Sequence, residues 1–373
     1  MIRSLLYILV ASIVTIPTFA QHPLDPQATA GTASLYRNLQ SLSTKGILFG
    51  HHETDAYGVG WTGTEGRSDI KDVCGAYPAV HGWDLGKEGQ RNNIDGVPFE
   101  SMHRWIRDVY TRGGINTISW HVDNPVTGGG SWDTTRAVQS ILPGGKQHAD
   151  FVQRLDRVAA FLAACRHGHS PIPIIFRPFH EHNGNWFWWG KGLCTEEEYI
   201  QLWRFTIDYL KNTKGLHHIL YAFSPDRSRM NLKDARSSYL YGYPGDDYVD
   251  ILGYDNYMDV GITWNKKSPE EQADDLRTGL SAVSALAREK KKVAAFTETG
   301  LEGVTNPSWY TDIILKPLKS DRSIQMAYIM VWRNGNDKHH YAPYPGHPAA
   351  ADFQVFYQDP YTVFENDLEA VYR

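Results

Sequence analysis

Eight short apolar runs recur along the chain, and each ends in polar residues. They are GILFGHHE (46–53), YPAVHGWDL (77–85), INTISWHVDN (115–124), IPIIFRPFHE (172–181), HHILYAFSPD (217–226), VDILGYDNY (249–257), KVAAFTETG (292–300) and QMAYIMVWRNG (325–335). Near-continuous apolar strands are buried on both faces, which requires a parallel sheet covered by helices. Helical patterns fill the intervals. Met102, Trp105, Ile106 and Val109 share one face of 101–112, which Gly113-Gly114 stops, and Phe151, Leu155, Val158 and Leu162 do the same over 150–166. Thr195 with Glu198, and Ser268-Pro269 with Glu271, are helix-opening boxes; the helices they open run to Leu210 and to about Lys290. Eight strand–helix units with no linker between residues 21 and 373 predict a single-domain α/β fold, a (β/α)8 TIM barrel. A doubly wound open sheet is the alternative, but no Gly-rich phosphate turn follows the first run.

In a barrel the chemistry lies at the C-terminal ends of the strands. Those ends carry His51, His52 and Glu53; Trp83 and Asp84; His121, Asp123 and Asn124; His180 and Glu181; Asp226; Asp255 and Tyr257; Glu298; and Trp332 and Arg333. Glu181 and Glu298 stand out, because each follows a strongly apolar strand and sits among small or aromatic neighbours. Two carboxyl groups about 5–5.5 Å apart are what hydrolysis of a glycosidic bond with retention requires, one protonated and one ionised. Strands four and seven approach each other across a small barrel. Trp also offers flat surfaces for the apolar faces of sugar rings, and the chain has 12 of them. The alternative is a pair of buried salt-bridge acids. A zinc site built on His180 and His182 lacks a third ligand, and GHHE (50–53) reads as a polar cleft wall. No metal and no cofactor is expected.

RPFHEHNGNWFWWG (177–190), FTETG (296–300) and VWRN (331–334) resemble glycoside hydrolase family 26, the β-mannanase family within the clan of (β/α)8 retaining glycosidases. Many members of that clan carry Asn before the acid; this family carries His, as at His180. The resemblance implies Glu181 as general acid/base and Glu298 as nucleophile. It implies His180 and Tyr257 near the nucleophile, Trp186 stacking on the leaving-group side and Trp332 under the sugar being attacked. His121 and Arg333 resemble positions that bind sugar hydroxyls on the non-reducing side, and Asp255 resembles a supporting polar residue. The substrate implied is β-mannan or mannooligosaccharide. Xylan or mixed-linkage glucan, and a sugar-binding barrel without activity, are the alternatives.

The segment 124–150 is long for a barrel loop, and such loops are commonly functional. Folded over the non-reducing end of the cleft, it would wall off the groove, with Trp132 or Lys146 capping the last sugar site. Some exported members of the family release mainly mannobiose, and the same bias is expected here; the alternative is a disordered surface insertion on an ordinary endo-mannanase. Residues 1–20 read as a secretory signal peptide, with Arg3, an apolar stretch over 5–17, and Thr18 and Ala20 before the cut. The catalytic domain is then 21–373, exported to the periplasm or secreted, and expected to be a monomer. A net charge of −5 without a Lys/Arg block argues against nucleic acid, and no later segment is apolar enough for a membrane. Cys74, Cys165 and Cys194 are expected to be buried thiols rather than a disulfide framework. Trp188 and Trp189 are assigned to neither core nor cleft.

Overall fold

The computed structural model describes residues 22–373. Eight parallel strands follow the eight apolar runs: β1 (Ile47–His52), β2 (Val80–Asp84), β3 (Ile115–Trp120), β4 (Ile174–Pro178), β5 (Ile219–Phe223), β6 (Ile251–Asn256), β7 (Val293–Thr299) and β8 (Tyr328–Val331). They hydrogen-bond in chain order, and β8 returns to β1 through Leu48↔Tyr328 to His51↔Val331, so the sheet closes as a barrel. That pairing excludes the open doubly wound sheet. A two-residue strand, Thr362–Val363, adds to the start of β1.

The strand pleat sorts side chains by parity. Leu48, Val80, Ile115, Ile175, Leu220, Ile251, Val293 and Tyr328 form one apolar cluster that fills the lower barrel. From below, Leu35, Tyr36 and Leu39 of the helix Ala30–Leu42 complete it, all fully buried. The intervening residues, among them Phe49, Ile118, Phe176 and Phe296, face outward into the layer between barrel and helices. Continued upward, the inward parity delivers His52, Asp84, Arg177 and Asp255, which are all buried, to the upper end of the barrel. The sheet is thus apolar at its base and polar at its mouth, with one period setting both.

The outer helices match their sequence signals within about two residues. They run Phe99–Arg112, His148–Ala164, Glu196–Asp208 and Pro269–Lys290, and both predicted capping boxes form. The third stops at Asp208 and continues as a π turn to Thr213, carrying Leu210. Trp83 and His51, named above as strand-end groups, have the outward parity. Trp83 is fully buried, stacked on Trp105 and hydrogen-bonded to Asn116 at 2.9 Å, so it belongs to the core. The three cysteines are free; Cys74 and Cys165 are buried and Cys194 is half-buried. The signal-peptide reading lies outside the described residues. Among those described, no helix is long and apolar enough to cross a membrane.

Candidate active site

A local irregularity in β7 decides where Glu298 points. Gly253 pairs with Ala295, yet Asp255 pairs with Glu298; on the other side Phe296 pairs with Ile329 and Thr299 with Val331. Both offsets place one extra residue in β7 between Phe296 and Thr299, which is a β-bulge. Ala295 faces inward and Phe296 outward, so strict alternation would send Glu298 outward with Phe296. The bulge turns both Thr297 and Glu298 into the barrel. Thr297 donates to Asp255 at 2.6 Å, and Glu298 accepts from Tyr257 at 2.8 Å and from the Arg177 guanidinium. Arg177 also holds Asp255 at 2.7 Å and Ser224 at 3.1 Å. Burial, with the charge of Glu298 and against the pull of Arg177, pushes the Asp255 carboxyl up to about 8.

Glu181 lies on the turn that leaves β4. Phe179 and Glu181 have φ of 48° and 54°, left-handed values that cost of order 1–3 kcal/mol each for such residues. The turn persists because its backbone is pinned at every residue. Tyr199 Oη donates to Phe179 O at 2.9 Å, Trp189 Nε1 to His180 O at 2.8 Å, and Glu181 N to Ser224 O at 2.8 Å. Trp188 ties the same segment to the loop after β3 by donating to Val122 O at 2.9 Å. Trp188 and Trp189 are fully buried and Phe187 nearly so. Trp188 and Trp189 therefore clamp the turn behind the acid, while Phe187 packs against His121, His180 and Trp189. Only Trp186 is half-buried, and its Nε1 donates to Glu181 Oε2 at 2.7 Å. Burial first, then the charges of Asp226, Glu298 and Asp255, hold the Glu181 carboxyl well above the usual range, although Trp186 opposes this.

Around these two acids the flanking residues gather as a ring. His121 Nδ1 lies 2.7 Å from Asp84 Oδ2; burial would lower its pKa, but Asp84 raises it above the ordinary imidazole value. His121 stands edge-on to His180 at 4.6 Å between ring centroids and lies parallel to Trp132 at 5.3 Å. Burial, with Arg177 nearby, drives His180 well below its usual pKa, so it is neutral, and its Nδ1 has no partner. Trp332 stacks on His52 at 4.2 Å, and Arg333 pairs with Asp95 at 3.0 Å.

The Glycosyl hydrolase family 26 profile matches residues 24–363 of this chain. The chain belongs to glycosyl hydrolase family 26. Among solved structures, it is 41% identical to a β-mannanase of this family from Bacteroides ovatus, over 92% of this chain and 98% of that one, with a TM-score of 0.85. It is 37% identical to a modular endo-β-1,4-mannanase from Cellulomonas fimi, covering 94% and 79%, also at TM-score 0.85. A mannan endo-1,4-β-mannosidase from Bifidobacterium adolescentis is 32% identical over 89% of this chain, which spans only 34% of that protein's length. One from Bacillus subtilis is 26% identical, covering 89% and 88%.

In this family 26 barrel, Glu181 meets Trp186, Glu298 meets Tyr257 and shares Arg177 with Asp255, and His121 meets His180, Trp132 and Trp332, which Arg333 follows in the chain, whereas Lys146 stands apart. Trp132 is 55% exposed, yet its ring packs against both His121 and Phe187, the latter at 5.4 Å. Its loop is ordered by Asn124, whose Nδ2 donates to Asp133 O and Thr135 O. Lys146 is exposed in the turn before His148, beside the short helix Val138–Ile141, and has no hydrogen-bond or ion-pair partner among the described residues. Arg177 is absent from the strand-end groups read in the sequence, although the inward parity of β4 points to it; Asp84 and Asp226 are among those groups, and their roles beside His121 and Glu181 come from the structure. Among the described residues one group, His52, Glu53 and Asp95, brings three ligand-type atoms within 4.8 Å of one another. There Arg333 already pairs with Asp95, and Tyr57 and Asn93 donate to the two oxygens of Glu53, so a guanidinium and protons take the place of a cation. His182 is held separately, with Nε2 2.7 Å from Tyr241 O.

Proposed function

We propose that this enzyme is a retaining β-1,4-mannanase acting by double displacement. The observation that carries the reading is the contrast between the two carboxyl groups. Glu298 accepts from a phenol and a guanidinium, the surroundings of an anion ready to attack the anomeric carbon. Glu181 is buried among negative neighbours that favour its proton, and Trp186 aims that carboxyl. Glu181 would give its proton to the glycosidic oxygen as Glu298 bonds to the anomeric carbon. The glycosyl ester removes the charge of Glu298, one of the groups that raise the Glu181 pKa. Glu181 then ionises more readily, takes a proton from water, and the water displaces Glu298 with net retention. Mannan as substrate rests on the mannanases among its relatives. Trp132 standing against His121 supports a cleft closed after few sugar sites and a bias to mannobiose. Export through residues 1–20 and a monomeric state complete the proposal.

Proton NMR of a fresh mannooligosaccharide digest tests the chemistry: the β-anomer is expected first, and the α-anomer first would refute it. Glu298→Ala should abolish turnover. Glu181→Ala should fail on mannan yet still release an activated aryl group, which needs no proton. Normal mannan hydrolysis by Glu181→Ala would also refute the assignment.

A further inference from the structure

Glu53 is a carboxyl group for which the double displacement has no use. It is fully buried at the end of β1, in the left-handed region at φ 52°, with its amide donating to Gly82 O at 2.8 Å. Burial of a carboxyl at such a backbone angle is costly, so its contacts should explain it. Its Oε2 accepts from Tyr57 Oη, and its Oε1 accepts from Asn93 Nδ2 at 2.6 Å. Each arm leads to Arg333. Tyr57 Oη lies 3.5 Å from Arg333 Nη1. Asn93 Oδ1 accepts from the amides of Asp95 and Val97 at 2.9 and 2.8 Å, fixing the turn from which Asp95 reaches Arg333 Nη2 at 3.0 Å. Both supports of one guanidinium thus hang from one hidden carboxyl. Arg333, Tyr57, Asp95 and Trp105 line a cavity of about 290 Å³.

We propose that Glu53 is a positioning residue for Arg333, holding the guanidinium fork at the angle that meets the hydroxyls of a sugar on the non-reducing side of the cut. The proposal rests on the reading of Arg333 as a donor-side sugar contact. A fork has five donors in fixed geometry, so its use depends on orientation more than on charge. Glu53 does this without contacting sugar. Gln at position 53 keeps one acceptor for Asn93 and turns an amide toward the Tyr57 oxygen, so it preserves the two-armed arrangement; Ala removes both arms.

The test compares two aryl β-mannosides that differ by one sugar. An aryl β-mannoside needs only the site of cleavage, whereas an aryl β-mannobioside adds a ring on the Arg333 side. In Glu53→Ala, kcat/KM on the mannobioside should fall about tenfold, the order of one hydrogen bond to a charged group, chiefly through KM. On the mannoside it should change by less than about twofold. Glu53→Gln should recover most of the loss. If Glu53→Ala does not fold, Tyr57→Phe, which removes a single hydroxyl, should show the same selective loss. Equal losses on both substrates, or none on either, overturn the proposal. A wild-type enzyme that gains nothing from the second sugar overturns it together with the donor-side reading of Arg333. A wild-type gain with unselective loss in the variants overturns the Glu53 role alone.

Discussion

His81 lies on β2 with the outward parity, its side chain fully buried between two carboxyl groups. Nδ1 is 2.5 Å from Asp55 Oδ2 and Nε2 is 3.1 Å from Glu365 Oε2. Arg112 spans the same two acids at 3.0 and 2.7 Å. Two anions are matched by two cations only while His81 is protonated. Burial alone would lower its pKa, but Asp55 and then Glu365 raise it to about 9. A pKa raised on folding means that the native state holds a proton the unfolded chain has released. The stabilisation is therefore complete below about pH 6.5 and disappears as pH rises through 9. At about 1.4 kcal/mol per pH unit over roughly 2.5 units, the loss is about 3 kcal/mol. Urea unfolding followed by Trp fluorescence from pH 6 to 10, in wild type and His81→Gln, isolates it, because other titrating groups cancel in the difference. The wild-type advantage should shrink by that amount across the window. Parallel curves, or a His81 ring that titrates near 6.5 by NMR, would refute the reasoning. The network also ties the β1 loop, with Glu53 and Tyr57, to Arg112 and the C-terminal segment, so its loss should loosen that side of the cleft first.

The pH–rate profile should show an alkaline limb above the ordinary carboxylate range, reporting loss of the Glu181 proton. Asp226→Asn removes a negative neighbour and should move that limb to lower pH; an unmoved limb would exclude Glu181 as its source. Trp188→Ala should lower stability by about 3–5 kcal/mol, the cost of emptying a core Trp site, as read by denaturant midpoint. Trp186→Ala should cost less than about 1 kcal/mol while weakening acceptor-side binding, read as KM for oligosaccharides. Trp132→Ala should replace an early mannobiose product by a ladder of sizes in timed mannan digests; an unchanged product pattern would remove this ring from the cut-pattern argument.

The barrel was legible because its message is repeated eight times and because the same parity that fills the base with Leu, Ile and Val carries polar groups to the mouth. Counting parity within β2 would also have shown that Trp83 faces away from Asp84. The bulge in β7 was not legible. It adds one residue in Phe296-Thr297-Glu298 with no glycine or proline to mark it, and its cause is the pairing of β7 with two neighbours at once. The aromatic run was legible only in part, with Trp188 and Trp189 open between core and cleft. A Trp beside Gly and Asn reads as a surface ring, whereas Trp188 and Trp189 donate to backbone carbonyls that hold the Glu181 turn. Their role depends on contacts with Val122 and His180, which no local pattern announces. The length and glycines of the loop after β3 suggest a cap at Lys146, but the helix Val138–Ile141 takes up part of that length.

The described chain begins and finishes at the same end of the barrel, the one away from the cleft. Leu24 N donates to Asp250 just before β6, and Thr29 N to His217 just before β5. Tyr372 Oη reaches Gly114 O just before β3, and Asn38 Nδ2 reaches Val371 O. A tag, a surface tether or a fused sugar-binding module joined after Arg373 therefore leaves from the floor. Immobilised through that point, the molecule would present its open face outward to an insoluble polysaccharide, so the polarity of the strands becomes a mounting direction for the enzyme.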